Sequence, residues 1–290
     1  MKVRYIIFLI LPFIVAACGV SLEEANRQYE LYRFDEAASM YEKLYDEKED
    51  NTVRATVAFR AGESYRQKND WMEAERWYQK AIRRNYSDPE VYYQLARVQN
   101  LQEDFEDAIE NYKKYIENAP GKEERGKEGI ERVNRFKKWK SDSTRYVVEE
   151  ADRLNTREND YAPSYLGDRE ELVFTSDREN DKFNDEYRWT GKPFANVYKA
   201  KWDRRREYYD DIKLMEGDIN TEFNEGVTSF SKRGRKLYYT QCNGPEGEIA
   251  NCRVMVARRQ GGRGYGEPEK LPFCTDSTIN YANPSVSRNG

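Results

Sequence analysis

The apolar positions of this chain change period halfway along. From Leu22 to about Lys140 they recur at intervals of three and four, the spacing of one helix face. Beyond Arg145 they come in short blocks rich in tyrosine and valine, bounded by turn residues, the pattern of strands. Three stretches of the first half align: RFDEAASMYEKL, DWMEAERWYQKA and DFEDAIENYKKY. Each holds an aromatic residue, Ala three positions on and Tyr four after that: Phe34, Ala37, Tyr41; Trp71, Ala74, Tyr78; Phe105, Ala108, Tyr112. The alanines are 37 and then 34 positions apart. Gly62 and Ala96, again 34 apart, fall where the first helix of a pair must let its partner come close. A further helix is predicted over Glu123–Lys140, with Ile130, Val133, Phe136 and Trp139 on one face. Such a stripe reads as core and would cap the end of a stack of helix pairs.

This pattern resembles the tetratricopeptide repeat, with its 34-residue period and a small residue set four before an aromatic. A small side chain at a helix crossing leaves a groove that the aromatic from the same face fills. Pro120 stands 12 after Ala108, where that family ends a unit, and Pro89 comes three residues later than the same rule. The resemblance implies a solenoid whose groove holds a segment of a partner protein. The plainer reading is a structural spacer.

The second half also repeats. NDYAPSYLGDREELVFTSDR, NEGVTSFSKRGRKLYYTQC and NYANPSVSRNG align on Tyr165, Phe230 and Val286. Ser164, Ser229 and Ser285 each stand one position before, and Asn159, Asn224 and Asn280 six before. A second strand follows in the first two copies (Glu171–Ser176, Lys236–Gln241), then a third (Ala195–Trp202, Cys252–Arg259) and an outer one. Four strands per repeat is the make-up of a propeller blade. The copies resemble the PD40 repeat of TolB-like propellers. Pro163, Ser164, Thr175, Ser176, Asp177 and Arg178 match in the first, although Gly167–Asp168 is reversed against the usual turn. Ser229, Ser231 and Gly234 match in the second, where Thr228 replaces the proline, and Pro284, Ser285, Ser287 and Gly290 in the third. The expectation is a chain cut in the first hairpin of a third blade, since propellers hold about four to eight. Tyr146–Val148 reads as an outer strand that would close such a ring.

The first residues bear on location. Lys2 and Arg4 precede an apolar run, Tyr5–Ala17, of roughly 13 residues, too short for a span of about 20. It ends in VAAC, which resembles a bacterial lipobox and implies lipid on Cys18. Gly19 rather than Asp follows, which by the same resemblance implies the outer membrane.

Composition narrows the chemistry. The net charge of −4 gives no case for a nucleic-acid partner. Histidine is absent, which removes Ser-His-Asp and Cys-His nucleophiles and Cys₂His₂ zinc sites from this sequence. Cys242 and Cys252 flank NGPEGEIAN, a hairpin loop whose ends a disulfide would join; Cys274 is left over. Asp177, Asp181 and Asp185 are spaced by four and do not match a Ca²⁺ loop, so Asp177–Pro193 reads as a solvated insertion. RRQGGRGYGEP lacks the strand-to-helix context of a phosphate loop. No catalytic residue, cofactor or metal site is expected.

The whole order, lipobox, helical repeats and blades, resembles the OmpA-family lipoproteins of Bacteroidetes, among them PorE-like components of the type IX secretion system. The implied layout is a signal peptide over 1–17, repeats with a capping helix over 22–140, a linker with a closing strand over 141–158 and an incomplete propeller over 159–290. The fold class is thus α+β multidomain. The implied role is a non-enzymatic periplasmic scaffold, lipid-anchored to the outer membrane and bound to protein partners by groove and propeller. Peptidoglycan would be reached only through an OmpA-like domain beyond this sequence. The rival is an exported prolyl-oligopeptidase-type peptidase whose hydrolase domain would follow. A TolB-like partner of the envelope energy system is a third reading, but TolB has no lipid anchor.

Overall fold

The computed structural model describes residues 20–142, 144–167, 170–183, 185–243 and 251–287. The signal stretch with Cys18, the interior of the Cys242–Cys252 loop and the tip Arg288–Gly290 lie outside them.

Seven helices form the first half of the described chain: α1 Leu22–Glu30, α2 Phe34–Glu47, α3 Asn51–Gln67, α4 Trp71–Arg83, α5 Glu90–Leu101, α6 Phe105–Asn118 and α7 Glu123–Ser141. Short polar side chains cap three of their starts, while Asp104 before α6 makes no such bond. Ser21 accepts from the Glu24 N–H, Asp50 from Val53 and Asp70 from Glu73. Pro89 precedes α5 with φ −61°, a value its ring presets for the helix start. The turn inside each pair uses a left-handed residue, Tyr32, Asn69 and Glu103, again at the repeat spacing.

Small-against-aromatic packing holds these pairs together. Ala37, Ala74, Ala96 and Ala108 are wholly buried, and so are Tyr41 and Tyr78, with Tyr112 nearly so. A Cβ on Gly62 would come 2.7 Å from the Tyr78 ring. The same device recurs in α7, where Cβ atoms on Gly126 and Gly129 would meet Ile116 and Tyr112 at 2.5 Å. Of the stripe expected to be core on α7, only Val133 is fully buried, and Trp139 is 61% exposed.

Ten strands follow: β1 Asp160–Leu166, β2 Glu171–Ser176, β3 Glu186–Tyr187, β4 Lys192–Pro193, β5 Asn196–Asp203, β6 Tyr208–Leu214, β7 Asn224–Phe230, β8 Lys236–Asn243, β9 Asn251–Arg258 and β10 Glu269–Lys270. They make two four-stranded antiparallel sheets, β1-β2-β5-β6 and β7-β8-β9-β10, and a small hairpin, β3-β4. Both large sheets are meanders and neither closes into a barrel. Leu166, Val173 and Val197 of the first pack on Leu237, Tyr239 and Ala257 of the second in one buried cluster. Tyr146–Val148 joins no sheet and is strongly exposed, in contrast to the closing strand expected there.

Candidate protein-interaction surfaces

Along the first helices of the pairs, α1, α3 and α5, the polar side chains are mutually restrained. Glu63, nearly buried in α3, accepts from Arg66 at 2.8 Å and from the Tyr78 hydroxyl at 2.5 Å. Burial, with the Glu63 charge adding to it, holds the Tyr78 hydroxyl well above the ordinary tyrosine range. The Arg125 guanidinium makes a two-pronged pair with Glu90 at 2.6 and 2.9 Å and lies 3.7 Å over the Tyr93 ring. Arg60 is exposed, 5.9 Å over Tyr29, and Arg97 donates to Gln94. The result is a fixed surface of arginines, acids and tyrosine rings.

The opposite feature is an attachment that the sequence did not announce. The insertion expected to be solvated carries β3-β4, and the turn of that hairpin docks on the solenoid. Trp189 stacks on Tyr32 at 5.6 Å, meets Phe34 edge-on at 5.0 Å and donates its Nε1–H to the Gln67 carbonyl at 2.8 Å. Gly191, at φ +70°, passes so close to Asp35 that a side chain there would strike it. Asp35 is itself paired with Lys68. The indole thus ties the first two helix pairs to the first sheet.

Between the sheets the repeated asparagines have a defined task. Asn224 accepts from the Ala195 N–H at 2.9 Å, and Asn280 accepts from the Cys252 N–H at the same distance. Ala195 and Cys252 are equivalent, each at the start of a third strand. Each asparagine therefore clasps the next unit to the one before. Asn159, with no unit before it, instead bonds Asp177 through its backbone N–H and its amide. Three residues beyond each asparagine the backbone is left-handed: Ala162 (φ 53°), Val227 (φ 48°) and Asn283 (φ 56°). That conformation is rare outside glycine and rarer still for a β-branched residue. It produces the register shifts in β1 and β7.

The other residues singled out by sequence fall around these clasps. The Ser164 hydroxyl meets that of Thr228 at 2.6 Å, and Ser229 accepts from the Val286 N–H. Pro163 lies within the bulge of β1. Pro284 and Ser285 line a cavity of about 670 Å³ on the far side of the second sheet, with Tyr238, Val254 and Phe273. Cys242 and Cys252 are cross-strand neighbours and are joined by a disulfide, while Cys274 is buried and free. Cys18 lies outside the described residues. Sequence reading missed Glu225, a buried carboxylate in β7 that accepts from the Thr221 hydroxyl and N–H and from Gln241. Burial pushes its carboxyl up to about 7, against these hydrogen bonds.

A family model described as Tetratricopeptide repeat matches residues 59–123, from within α3 to the start of α7. No curated protein matches the chain. Among solved structures the chain is similar to PcrH in complex with the chaperone binding region of PopD, at 16% identity over 40% of this chain and 89% of that one, TM-score 0.36. It is similar to the first TPR of Spaghetti (RPAP3) bound to the HSP90 peptide SRMEEVD, at 18% identity over 40% and 89%, TM-score 0.36. A third is the Yersinia enterocolitica type III secretion chaperone SycD with a peptide of the translocator YopD, at 14% identity over 40% and 90%, TM-score 0.35. The chain thus carries tetratricopeptide repeats followed by antiparallel sheets, and its helical half is built as a protein-interaction scaffold.

Proposed function

We propose that this chain belongs to an outer-membrane lipoprotein that works as a non-enzymatic periplasmic scaffold. Lipid on Cys18 holds it to the membrane, the open solenoid face takes a partner segment, and the sheets offer a second surface. On this reading it is a PorE-like component linking a type IX secretion or gliding complex to the envelope. Contact with peptidoglycan would be made by an OmpA-like domain outside this sequence.

The observation that carries the scaffold reading is the combination of a restrained solenoid face with a turn edge locked to the sheets by Trp189. A solenoid held in one orientation presents its face to one direction. The blade reading of the sheets is supported by the clasp and the left-handed kink, both repeated at residues 280–283. The location rests on the basic start, the apolar run and VAAC.

The test is membrane fractionation in a Bacteroidetes host. Wild-type protein is expected in the outer-membrane fraction with an acylated Cys18, and Cys18→Ser in the soluble fraction as an unlipidated precursor. A Cys18→Ser protein that remains processed and membrane-bound overturns the anchor.

A further inference from the structure

The edge at which each helix pair turns has three equivalent stations. Each consists of a left-handed turn residue (Tyr32, Asn69, Glu103) and the aromatic residue that opens the second helix (Phe34, Trp71, Phe105). The last turn of the following first helix flanks it. The chain itself covers two of the three. At the first, Trp189 covers Phe34 and Tyr32, and its neighbour Arg188 faces Glu36 at 3.9 Å. At the third, α7 covers Phe105: Phe136 packs in the same cluster, and Lys140 lies 5.9 Å over the ring while pairing with Glu103. Both covers join an aromatic side chain to a basic one, set against an aromatic and an acid.

The middle station has no such cover among the described residues. Trp71 is half-buried and has no ring partner among the described residues. Met72 and Leu101 stand where Asp35 and Gln67 stand at the first station, and they are 75% and 53% exposed. Glu73, equivalent to Glu36, supplies the acid; in the chain alone it pairs with Arg76 at 2.8 Å, as Glu36 faces Arg33 at 4.0 Å beside its contact with Arg188. The turn residue Asn69 lines a cavity of about 560 Å³ together with Trp189 and Thr190. Asn69, two residues from the Gln67 carbonyl that Trp189 binds, thus brings the middle station next to the contact the chain already makes to itself.

We propose that this middle station docks a turn of a partner protein that presents a bulky aromatic side chain beside a lysine or arginine. It would be held as the chain holds its own Arg188–Trp189. A large apolar side chain settling on Trp71, Met72 and Leu101 removes their surface from water, and Glu73 selects the basic neighbour. The inference rests on the scaffold reading but not on the membrane anchor or on the open face of the solenoid.

A cyclic peptide with the sequence of Asp185–Pro193 serves as probe, titrated into the full purified chain carrying ¹³C-methyl methionine. The chain has only five methionines, so the Met72 signal is separable. The expected result is a saturable shift of the Met72 methyl, with Kd raised at least tenfold by Leu101→Asp in the chain, by Glu73→Lys, or by alanine in place of the peptide's tryptophan. Glu73 is half-buried and outside the core, so Glu73→Lys keeps the test valid should Leu101→Asp fold poorly. Four outcomes overturn the proposal. The Met72 methyl stays unmoved up to millimolar peptide, or the two chain variants leave Kd unchanged. Alternatively, Tyr32→Ala alone abolishes binding, which places the peptide at the first station, or Met72 shifts with chain concentration without peptide, which assigns the strip to a second copy. Failure of the Cys18 experiment would leave each of these results readable.

Discussion

Replacing Trp189 with alanine should separate the solenoid from the sheets without unfolding either. The indole makes two ring contacts with the solenoid, to Tyr32 and Phe34, each worth about 0.5–1.5 kcal/mol beyond area burial. Its Nε1–H bond to the Gln67 carbonyl adds about 1 kcal/mol. Together they come to roughly 3 kcal/mol, or about a hundredfold in the ratio of docked to undocked forms. The Arg188–Glu36 pair, on the surface at 3.9 Å, adds little. Solution scattering should show a larger radius for Trp189→Ala, and protease should cut the 142–159 linker faster. Trp189→Phe keeps the rings and loses only the hydrogen bond, so it should fall between. Unchanged scattering and unchanged linker cleavage in Trp189→Ala would refute the clamp.

Three further perturbations probe separate parts of the account. Gly62→Val should lower the melting temperature of the helical half by an amount equivalent to about 1–3 kcal/mol, because its Cβ meets the buried Tyr78 ring at 2.7 Å; an unchanged melt contradicts the crossing. Asn224→Ala leaves the Ala195 N–H without its acceptor and should destabilise the sheets by about 1–3 kcal/mol in urea titrations, with the helical transition unmoved. Glu225 is the pH test. Its folded value of about 7 lies above the ordinary 4.5, so between these values the folded state binds more protons than the unfolded one. Sheet stability should then be greatest below about pH 4.5, fall through pH 7 by roughly 3 kcal/mol and level off. Glu225→Gln should abolish that slope, and a slope that survives it belongs to another group.

How much of this was visible beforehand depended on whether the cause was local or distant. Ala74 and Tyr78 were legible because one helix surface sets their spacing, and the repeats multiply the signal. Gly126 and Gly129 were not, since glycine within a helix reads as a weakness until Ile116 and Tyr112 are seen against it. Asn159, Asn224 and Asn280 stood out as repeated letters, but the acceptor role of Asn224 and Asn280 lies between units and has no trace in any one of them. Trp189 was one tryptophan in a polar run; its partner Gln67 is 122 residues away, and no periodicity connects them. Trp139 misled because helical period says which residues share a face, not how far along that face a neighbour covers them. Glu225 was hidden by type, since charged residues at strand starts are usually solvated.

The central claim, a scaffold that works through its open solenoid face, is tested most directly by quantitative affinity purification. The native host's membranes are extracted after mild cross-linking, and the tagged chain is compared with an Arg60→Glu/Arg97→Glu double variant. Arg60 is exposed and Arg97 partly so on that face, and neither lies in the buried core, so folding and membrane fraction should be retained. The account predicts a set of envelope proteins recovered in constant ratio with the wild type and lost at least tenfold with the double variant. Wild-type protein that purifies alone, or the same set recovered undiminished with the double variant, would contradict it.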